Sequence, residues 1–458
     1  MPFPGPSPLT RQLPPHTTDS LSLNHTEIPF QFQDQTGVPF WDRPACPGPL
    51  YPDFCEFSPG EQLYVVMDGA TRQQHLGAND LETYQETLSA APFFTTGTAR
   101  DEYGPWLLAL GVEGRIRARF LESMFSREAA PLTGIFLKTH ASYSELRSHL
   151  RGLTKVCPDP DSDPSIFLRF WDPRTTAALF KANLHRSEFI ERLCHTRSGT
   201  PIIWYAATAH DRMHRFAPTG KVTALRSRSP LILEPRDRAA LNDVGFAALG
   251  SVIGNWLSGS YPNLSDIGHA AQERIGQHVV TIGRQHRFTL KDEFSQLAHL
   301  MHYLGGWFGQ TNIFPEIDAV LKTQGTGRHR AMQGVFAEAW LRSHLPAMLR
   351  ARQDILDDPL LQGDGLPQID ETELSPLLAR HIADSDMPAV ARMSRLVEAD
   401  TTSRRAPSAL VPLITLISLF LGYRFFDDPF RGATPGAARD WHATSRQGWE
   451  MLRSFDYA

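Results

Sequence analysis

The side chains best suited to chemistry are His210 and His214, which stand at the two ends of the stretch HDRMH. Histidines four residues apart share one face of a helix, and such a pair can bind zinc. Asp211 follows the first histidine, where an acidic residue can activate a metal-bound water. Three features weaken this interpretation: Asp is shorter than Glu, no third ligand is evident downstream, and residues 208–218 read as a strand entering a loop. A metal-dependent hydrolase using His210 and His214 is therefore an alternative, while the preferred expectation is no metal and no cofactor.

A second acidic pattern, Asp159, Asp161 and Asp163, alternates like the beginning of a calcium-binding loop. Prolines interrupt the stretch, and neither the required glycine nor the distal glutamate follows, so we expect a solvated loop. The sequence contains no GxSxG, P-loop or GxGxxG motif. These observations predict a protein without a catalytic centre.

The composition narrows the class of protein further. The 458 residues include 45 basic and 50 acidic side chains, and a net charge of -5 argues against a dedicated nucleic-acid binder. Four cysteines show no CxxC spacing, which is typical of a reducing cytoplasm. The proline-rich N-terminus lacks the pattern of a secretion signal, so we expect a cytoplasmic protein. The apolar run Ala409 to Leu421 is too short for a bilayer, and we favour a buried helix over a partner-binding or membrane-contacting one.

The elements that must position any site centre on residues 131–174. Leu132 to Leu137 is an apolar run that predicts a buried strand. Tyr143 to Leu153 has helical apolar spacing, with charged residues on the opposite face. Ile166 to Trp171 predicts a second strand by its alternation, and it ends where Asp172 and Pro173 can open the next helix. This segment therefore predicts a strand–helix–strand unit.

The same patterns divide the whole chain. We predict a proline-rich leader over residues 1–60, an α+β or α/β lobe with a mixed sheet covered by helices over 61–216, a linker over 217–237, and an all-α lobe over 238–458 with a loop near 357–367. Further strands are predicted at Leu63–Met67, Trp106–Leu110 and Ile202–Tyr205, and a further helix at Leu81–Leu88.

The helical lobe contains two short stretches that are weakly similar to each other. The stretch YLGGWFGQ, Tyr303 to Gln310, can be aligned with FLGYRFFD, Phe420 to Asp427. Each follows an apolar helix and precedes a turn that contains proline. Duplication and coincidence both remain open as explanations.

Four motifs occur in order: LYVVMDGA from Leu63, YGPWLLAL from Tyr103, GIFLKTHASYSELRSHLRGLTKV from Gly134, and FLRFWDPR from Phe167. Together they resemble the effector chaperones of type VI secretion, also called Tap or TEC adaptors. The resemblance covers about Leu63 to Ala206 well. It implies a bacterial cytoplasmic protein that binds a cognate toxic effector and helps to load it onto the spike protein VgrG. A structural subunit of the secretion apparatus is the remaining alternative.

Ionic residues in and near the last motif are candidates for partner binding. Arg169, Asp172 and Arg174 lie at and just after the end of the predicted strand, and Arg147 and Arg151 lie on the preceding helix. In a structural interpretation Asp172 caps a helix and Arg169 pairs with a carboxylate. In a functional one the arginines face an acidic or carbonyl-rich partner.

Aromatic residues of the helical lobe offer a second set of candidates. Trp307 and Phe308, with Trp256 and Phe314, could anchor an amphipathic effector segment. The alternative is that these side chains belong to the core of the lobe.

Overall fold

The structure is a computed structural model that describes residues 21–31, 37–39, 42–76, 81, 89–94, 103–112, 115–116, 118–125, 133–158, 166–209, 211–220, 222, 231–308, 315–323, 339–363, 365–383, 386–431 and 440–454. The chain divides into two compact units, residues 1–244 and 245–458. The first unit contains a large sheet with helices, and the second is helical.

The large sheet has the strand order β1-β10-β9-β6-β2-β4-β3, and β5 pairs with β4 beside this path. Its strands are β1 Ser22–Pro29, β2 Gln62–Asp68, β3 Ala90–Pro92, β4 Pro105–Val112, β5 Arg115–Ile116, β6 Gly134–Thr139, β9 Ile202–Ala209 and β10 Arg212–Thr219. Every described pair in it is antiparallel. The predicted lobe of sheet and helices is confirmed as α+β, whereas the expectation of a mixed sheet is wrong for this sheet.

Helices cover both faces of the sheet, which explains why its central strands are apolar throughout. On one face Tyr64 and Val66 of β2 share a buried cluster with helices α4, α5 and α6. On the other, Leu63 and Val65 share a cluster with α1 and α3. The helices of this unit are α1 Tyr51–Phe54, α2 Gly69–Leu76, α3 Ala118–Phe125, α4 Tyr143–Gly152, α5 Pro173–Ala182 and α6 Ser187–Cys194.

The leader contributes a strand that the sequence did not predict. β1 pairs with β10 from Ser22 opposite Thr219 to Pro29 opposite Arg212, and it is an edge strand of the sheet. Phe30 and Phe54 are 2% and 0% exposed within a core cluster of the same unit. The aromatic second half of the leader therefore packs on its own unit in the described part.

The strand predicted at Ile166–Trp171 is shorter than expected. Only β8, Ile166–Phe167, is extended, and it pairs with β7, Lys155–Cys157, in a separate small sheet that β11, Leu231–Ile232, completes. Ile166 and Phe167 are 41% and 54% exposed, so the predicted burial alternation is also wrong. The strand–helix–strand unit therefore spans two different sheets.

Other boundaries differ in smaller ways. Residues 217–219 of the predicted linker belong to β10, and α7, Pro235–Ser260, begins before the linker was expected to end. Most of the predicted helix Leu81–Leu88 lies outside the described residues, as do Asp159, Asp161 and Asp163.

The second unit is built from helices around two buried clusters. After α7 these are α8 Pro262–Ser265, α9 His269–Gln285, α10 Lys291–Leu304, α11 Pro315–Lys322, α12 Ala339–Leu356, α13 Glu371–His381, α14 Met387–Ser403, α15 Val411–Leu421 and α16 Trp441–Ser454. The apolar run at 409–421 forms α15, whose Leu413, Ile414 and Leu416 are 0% exposed, which confirms a buried helix. Within the described residues, we find no helix whose length and apolar character would let it cross a membrane.

The two similar stretches, Tyr303 to Gln310 and Phe420 to Asp427, are in contact at Gly305 and Gly422 in the second unit. Gly305 ends α10 with φ +89° and Gly422 ends α15 with φ +99°, a backbone conformation that favours glycine. A Cβ added to Gly305 would lie 2.7 Å from the Gly422 Cα. Buried Arg431 donates to the carbonyl oxygens of His302 (3.0 Å) and Leu421 (3.1 Å), so one guanidinium caps both helix ends. The aligned glycines thus occupy equivalent positions in two touching turns.

Candidate interaction site

Helix α4 carries the candidate site on its outer side. Ser142 caps its first turn by accepting a hydrogen bond from the Glu145 N–H at 3.3 Å. Leu146 and Leu150 are 0% exposed and fix the helix against the sheet. Because of helical periodicity, this anchoring leaves Arg147 and Arg151 on a different side from the core.

Glu145, in the first turn of α4, is held by polar contacts. The Glu145 carboxylate accepts hydrogen bonds from the Ser198 and Thr196 hydroxyls, the latter at 2.6 Å. These bonds, Ser198 first, lower the pKa of Glu145 below its ordinary value. Glu145 therefore ties α4 to the turn before β9.

A groove of about 790 Å³ runs along α4. No acidic residue is among those that line it, and its charged side chains are all basic: Arg147, Arg151, Lys155 and Arg192. Phe94 and Tyr143 supply aromatic surface. A concave surface with this charge is complementary to an acidic chain segment.

The basic groups of the groove differ in how firmly they are held. Arg147 donates a hydrogen bond to the Pro92 carbonyl of β3 at 2.7 Å, which sets the direction of the Arg147 side chain. Tyr143 donates to the Leu107 carbonyl at 3.0 Å. Arg151 and Lys155 are exposed, and neither has an acidic partner among the residues that the structure describes. The groove therefore contains the fixed guanidinium of Arg147 and two exposed cations, Arg151 and Lys155, that can contact a ligand.

An aromatic rim lies beside these cations. Phe167 is 54% exposed, and its ring centroid is 5.9 Å from that of Phe94 and 5.6 Å from that of Trp171. An exposed phenylalanine supported by two other rings is a ready hydrophobic anchor. The groove thus offers both charge and apolar surface.

Behind the rim, Asp68 joins two of the sequence motifs. Its buried carboxylate accepts hydrogen bonds from Trp171 Nε1 at 2.9 Å and from the Thr71 N–H at 3.0 Å, and it forms an ion pair with Arg169. The carboxylate therefore caps α2 and fixes the segment that leads into α5. Arg169, predicted either to pair with a carboxylate or to face a partner, is placed in the first of these roles.

Asp172 and Arg174 are likewise placed in a local network. Asp172 is the N-cap of α5 and accepts from the Arg174 N–H at 2.9 Å, which confirms the predicted cap. The Arg174 guanidinium returns to the same carboxylate at 3.1 Å, and its side chain is 54% exposed. Arg174 can therefore still be reached by a partner.

The aromatic candidates lie in the second unit. Phe308 is 2% exposed inside a core cluster, so it offers no surface in this conformation. Trp307 is partly buried, with the His278 ring centroid 4.6 Å away and the Arg424 guanidinium 5.7 Å from its ring. Both side chains are placed as packing residues.

The histidines of the hydrolase alternative do not share a helix. His214 lies on β10, and His210 lies outside the described residues. The helical spacing on which a zinc pair would depend is therefore wrong. His214 has other neighbours, His25 and Glu27 of β1, which the sequence pattern did not indicate.

Comparison with known proteins identifies a family model that covers part of the first unit. Residues 63–187 match the family model described as a domain of unknown function (DUF4123). This span contains α4, β7, β8 and most of the groove. No curated protein and no solved structure matches the chain.

Proposed function

We propose that the chain is an adaptor of type VI secretion that binds a cognate effector in the bacterial cytoplasm and helps to load it onto VgrG. The observation that carries this proposal is the basic groove with its aromatic rim, which lies largely within the span that matches DUF4123. The resemblance of the four sequence motifs to effector chaperones supports the same function.

The groove suggests what part of the effector it takes. An acidic segment with an apolar residue would place carboxylates near Arg151 and Lys155 and the apolar side chain against Phe167. Attraction between opposite charges speeds encounter, and burial of the aromatic ring slows release. The ligand is therefore an acidic, partly apolar segment rather than a small metabolite.

The direct test is co-expression of the full chain with the effector and spike protein encoded beside it, followed by affinity capture and size-exclusion chromatography. We expect a stable complex with the effector. The double substitution Arg151→Glu and Lys155→Glu should weaken effector binding by about 10-fold or more, and higher salt should weaken the wild-type complex. Failure to associate with either partner would contradict the proposal.

Matched variants separate the groove from general charge effects. Arg197→Glu changes another exposed arginine of the same unit, which does not line the groove, and it should leave binding unchanged. Arg169 is unsuitable for charge reversal because it pairs with the buried Asp68 carboxylate. Association with the apparatus regardless of the effector would instead favour a structural subunit.

A further inference from the structure

A second cluster of polar side chains lies at the β1 edge of the large sheet. Glu27 of β1 stands directly opposite His214 of β10, and His25 stands opposite the neighbouring Phe216. Because side chains alternate along a strand, these residues lie on one face. The imidazole of His25 stacks on Phe216 with a centroid distance of 4.8 Å, which fixes its plane.

The distances between the donor atoms fit those around a tetrahedral metal ion. His25 Nε2 and His214 Nδ1 are 3.2 Å apart, and His214 Nδ1 and Glu27 Oε1 are 3.5 Å apart. Ligands about 2.0 to 2.2 Å from zinc are separated by about 3.3 to 3.6 Å along a tetrahedral edge. All three donor atoms lie within 4.8 Å of one another, so a small rotation of the Glu27 carboxylate completes the set.

A neighbouring strand supplies a group that can orient the buried ligand. The β9–β10 register shifts where Thr208 has no partner in the ladder, a local irregularity of the kind that redirects a side chain. The Thr208 hydroxyl lies 2.8 Å from His214 Nε2. With Nδ1 bound to a metal, Nε2 carries the proton and donates a hydrogen bond to this hydroxyl, the usual support for a histidine ligand.

We propose that His25, Glu27 and His214 form a zinc site that fastens the edge strand β1 to β10. Two imidazoles and one carboxylate suit zinc better than magnesium or calcium, which prefer oxygen ligands. Three protein ligands leave the fourth position to water, and Glu27, whose side chain is 44% exposed, keeps it open to solvent.

The positive charge of Lys181 disfavours a metal ion at this site, so a substitution of Lys181 tests the proposal. Its ammonium nitrogen lies 3.4 Å from His214 Nε2 and 3.5 Å from Glu27 Oε1. When the metal binds Nδ1, the protonated Nε2 can no longer accept a hydrogen bond from the lysine, whose side chain is 43% exposed and must turn toward solvent. Removal of this positive charge should strengthen zinc binding.

The experiment uses the untagged full chain, stripped with a chelator and titrated with Zn²⁺ by calorimetry and by competition with a chromophoric chelator. We expect one tight site per chain. His25→Ala and His214→Ala should each weaken it at least 100-fold, whereas His185→Ala, which alters an exposed histidine of the same unit, should not. Zinc should also raise the melting temperature of the wild type but not that of the double histidine variant.

Two milder variants keep the test decisive if an alanine variant fails to fold. Glu27→Gln, at an exposed position, should weaken zinc about 10-fold, and Lys181→Gln should tighten it several-fold. Equal zinc binding by the wild type and the double histidine variant would overturn the site. Unchanged affinity in both Glu27→Gln and Lys181→Gln would overturn it as well.

Discussion

Asp68 offers the sharpest test of how the matched region is held together. In Asp68→Ala the indole N–H of Trp171, a residue 2% exposed, loses its partner, and an unsatisfied buried donor costs about 1–3 kcal/mol. The α2 cap through Thr71 is lost as well, for about 1 kcal/mol. The ion pair with Arg169 adds less than about 1 kcal/mol, because that arginine side chain is 55% exposed. We expect a total of about 3 kcal/mol.

The measurement is urea unfolding of the full chain, followed by circular dichroism and tryptophan fluorescence. The midpoint of the unfolding transition should fall while its slope stays the same. Asp68→Asn retains an acceptor and should lose only about 1 kcal/mol. Asp172→Ala is the matched control, since it removes a cap and an exposed ion pair and should cost about 1 kcal/mol. If Asp68→Ala costs no more than Asp172→Ala, the reasoning is refuted.

Three further predictions concern the helical unit. Gly305→Ala places a Cβ 2.7 Å from the Gly422 Cα at φ +89° and should cost at least about 2 kcal/mol, whereas Gly363→Ala, with nothing within 4 Å, should change unfolding by less than about 0.5 kcal/mol. Arg431→Met leaves two buried helix-end carbonyls without their donor and should cost about 2–4 kcal/mol by urea unfolding, and an unchanged midpoint would contradict this role. Burial, and next the charge of Arg431, lowers the pKa of His302 to about 3. The unfolded chain therefore takes up this proton first, so stability is full above about pH 6.5 and should fall by about 2 kcal/mol from this group between pH 7 and pH 5; midpoints that stay level over this range would count against it.

The central strands could be predicted because burial on both faces makes them apolar throughout. Leu63–Met67, Trp106–Leu110 and Ile202–Tyr205 all lie within observed strands for this reason. β1 was missed because SLNHTEIP is polar and becomes a strand only through β10, far along the chain. The alternation at Ile166–Trp171 misled because Trp171 is directed to Asp68 and Asp172 begins a helix, so local pattern gave way to tertiary contacts.

The candidate site was predictable in part. Helical spacing placed Arg147 and Arg151 together, and both line the groove. Lys155 and Arg192 join them from β7 and α6, which no spacing rule connects to α4. Phe167 lies in a strand, as predicted, but its exposure follows from the pairing of β8 with β7 in the small sheet, which the sequence did not indicate. Sequence periodicity describes one element at a time, whereas the groove depends on the packing of several.

The pairing of β1 with β10 also has a consequence for synthesis on the ribosome. The Ser22 hydroxyl meets that of Thr219, a residue 197 positions later. At about 5–20 residues per second, β1 waits roughly 10–40 s after its own translation before its neighbour exists. During that interval the nascent strand has no template in its own chain, and the free edge of β10 can later accept β1 from another copy in place of its own. Among the described strands of the large sheet, the first to be synthesised is thus unable to join until the last has emerged.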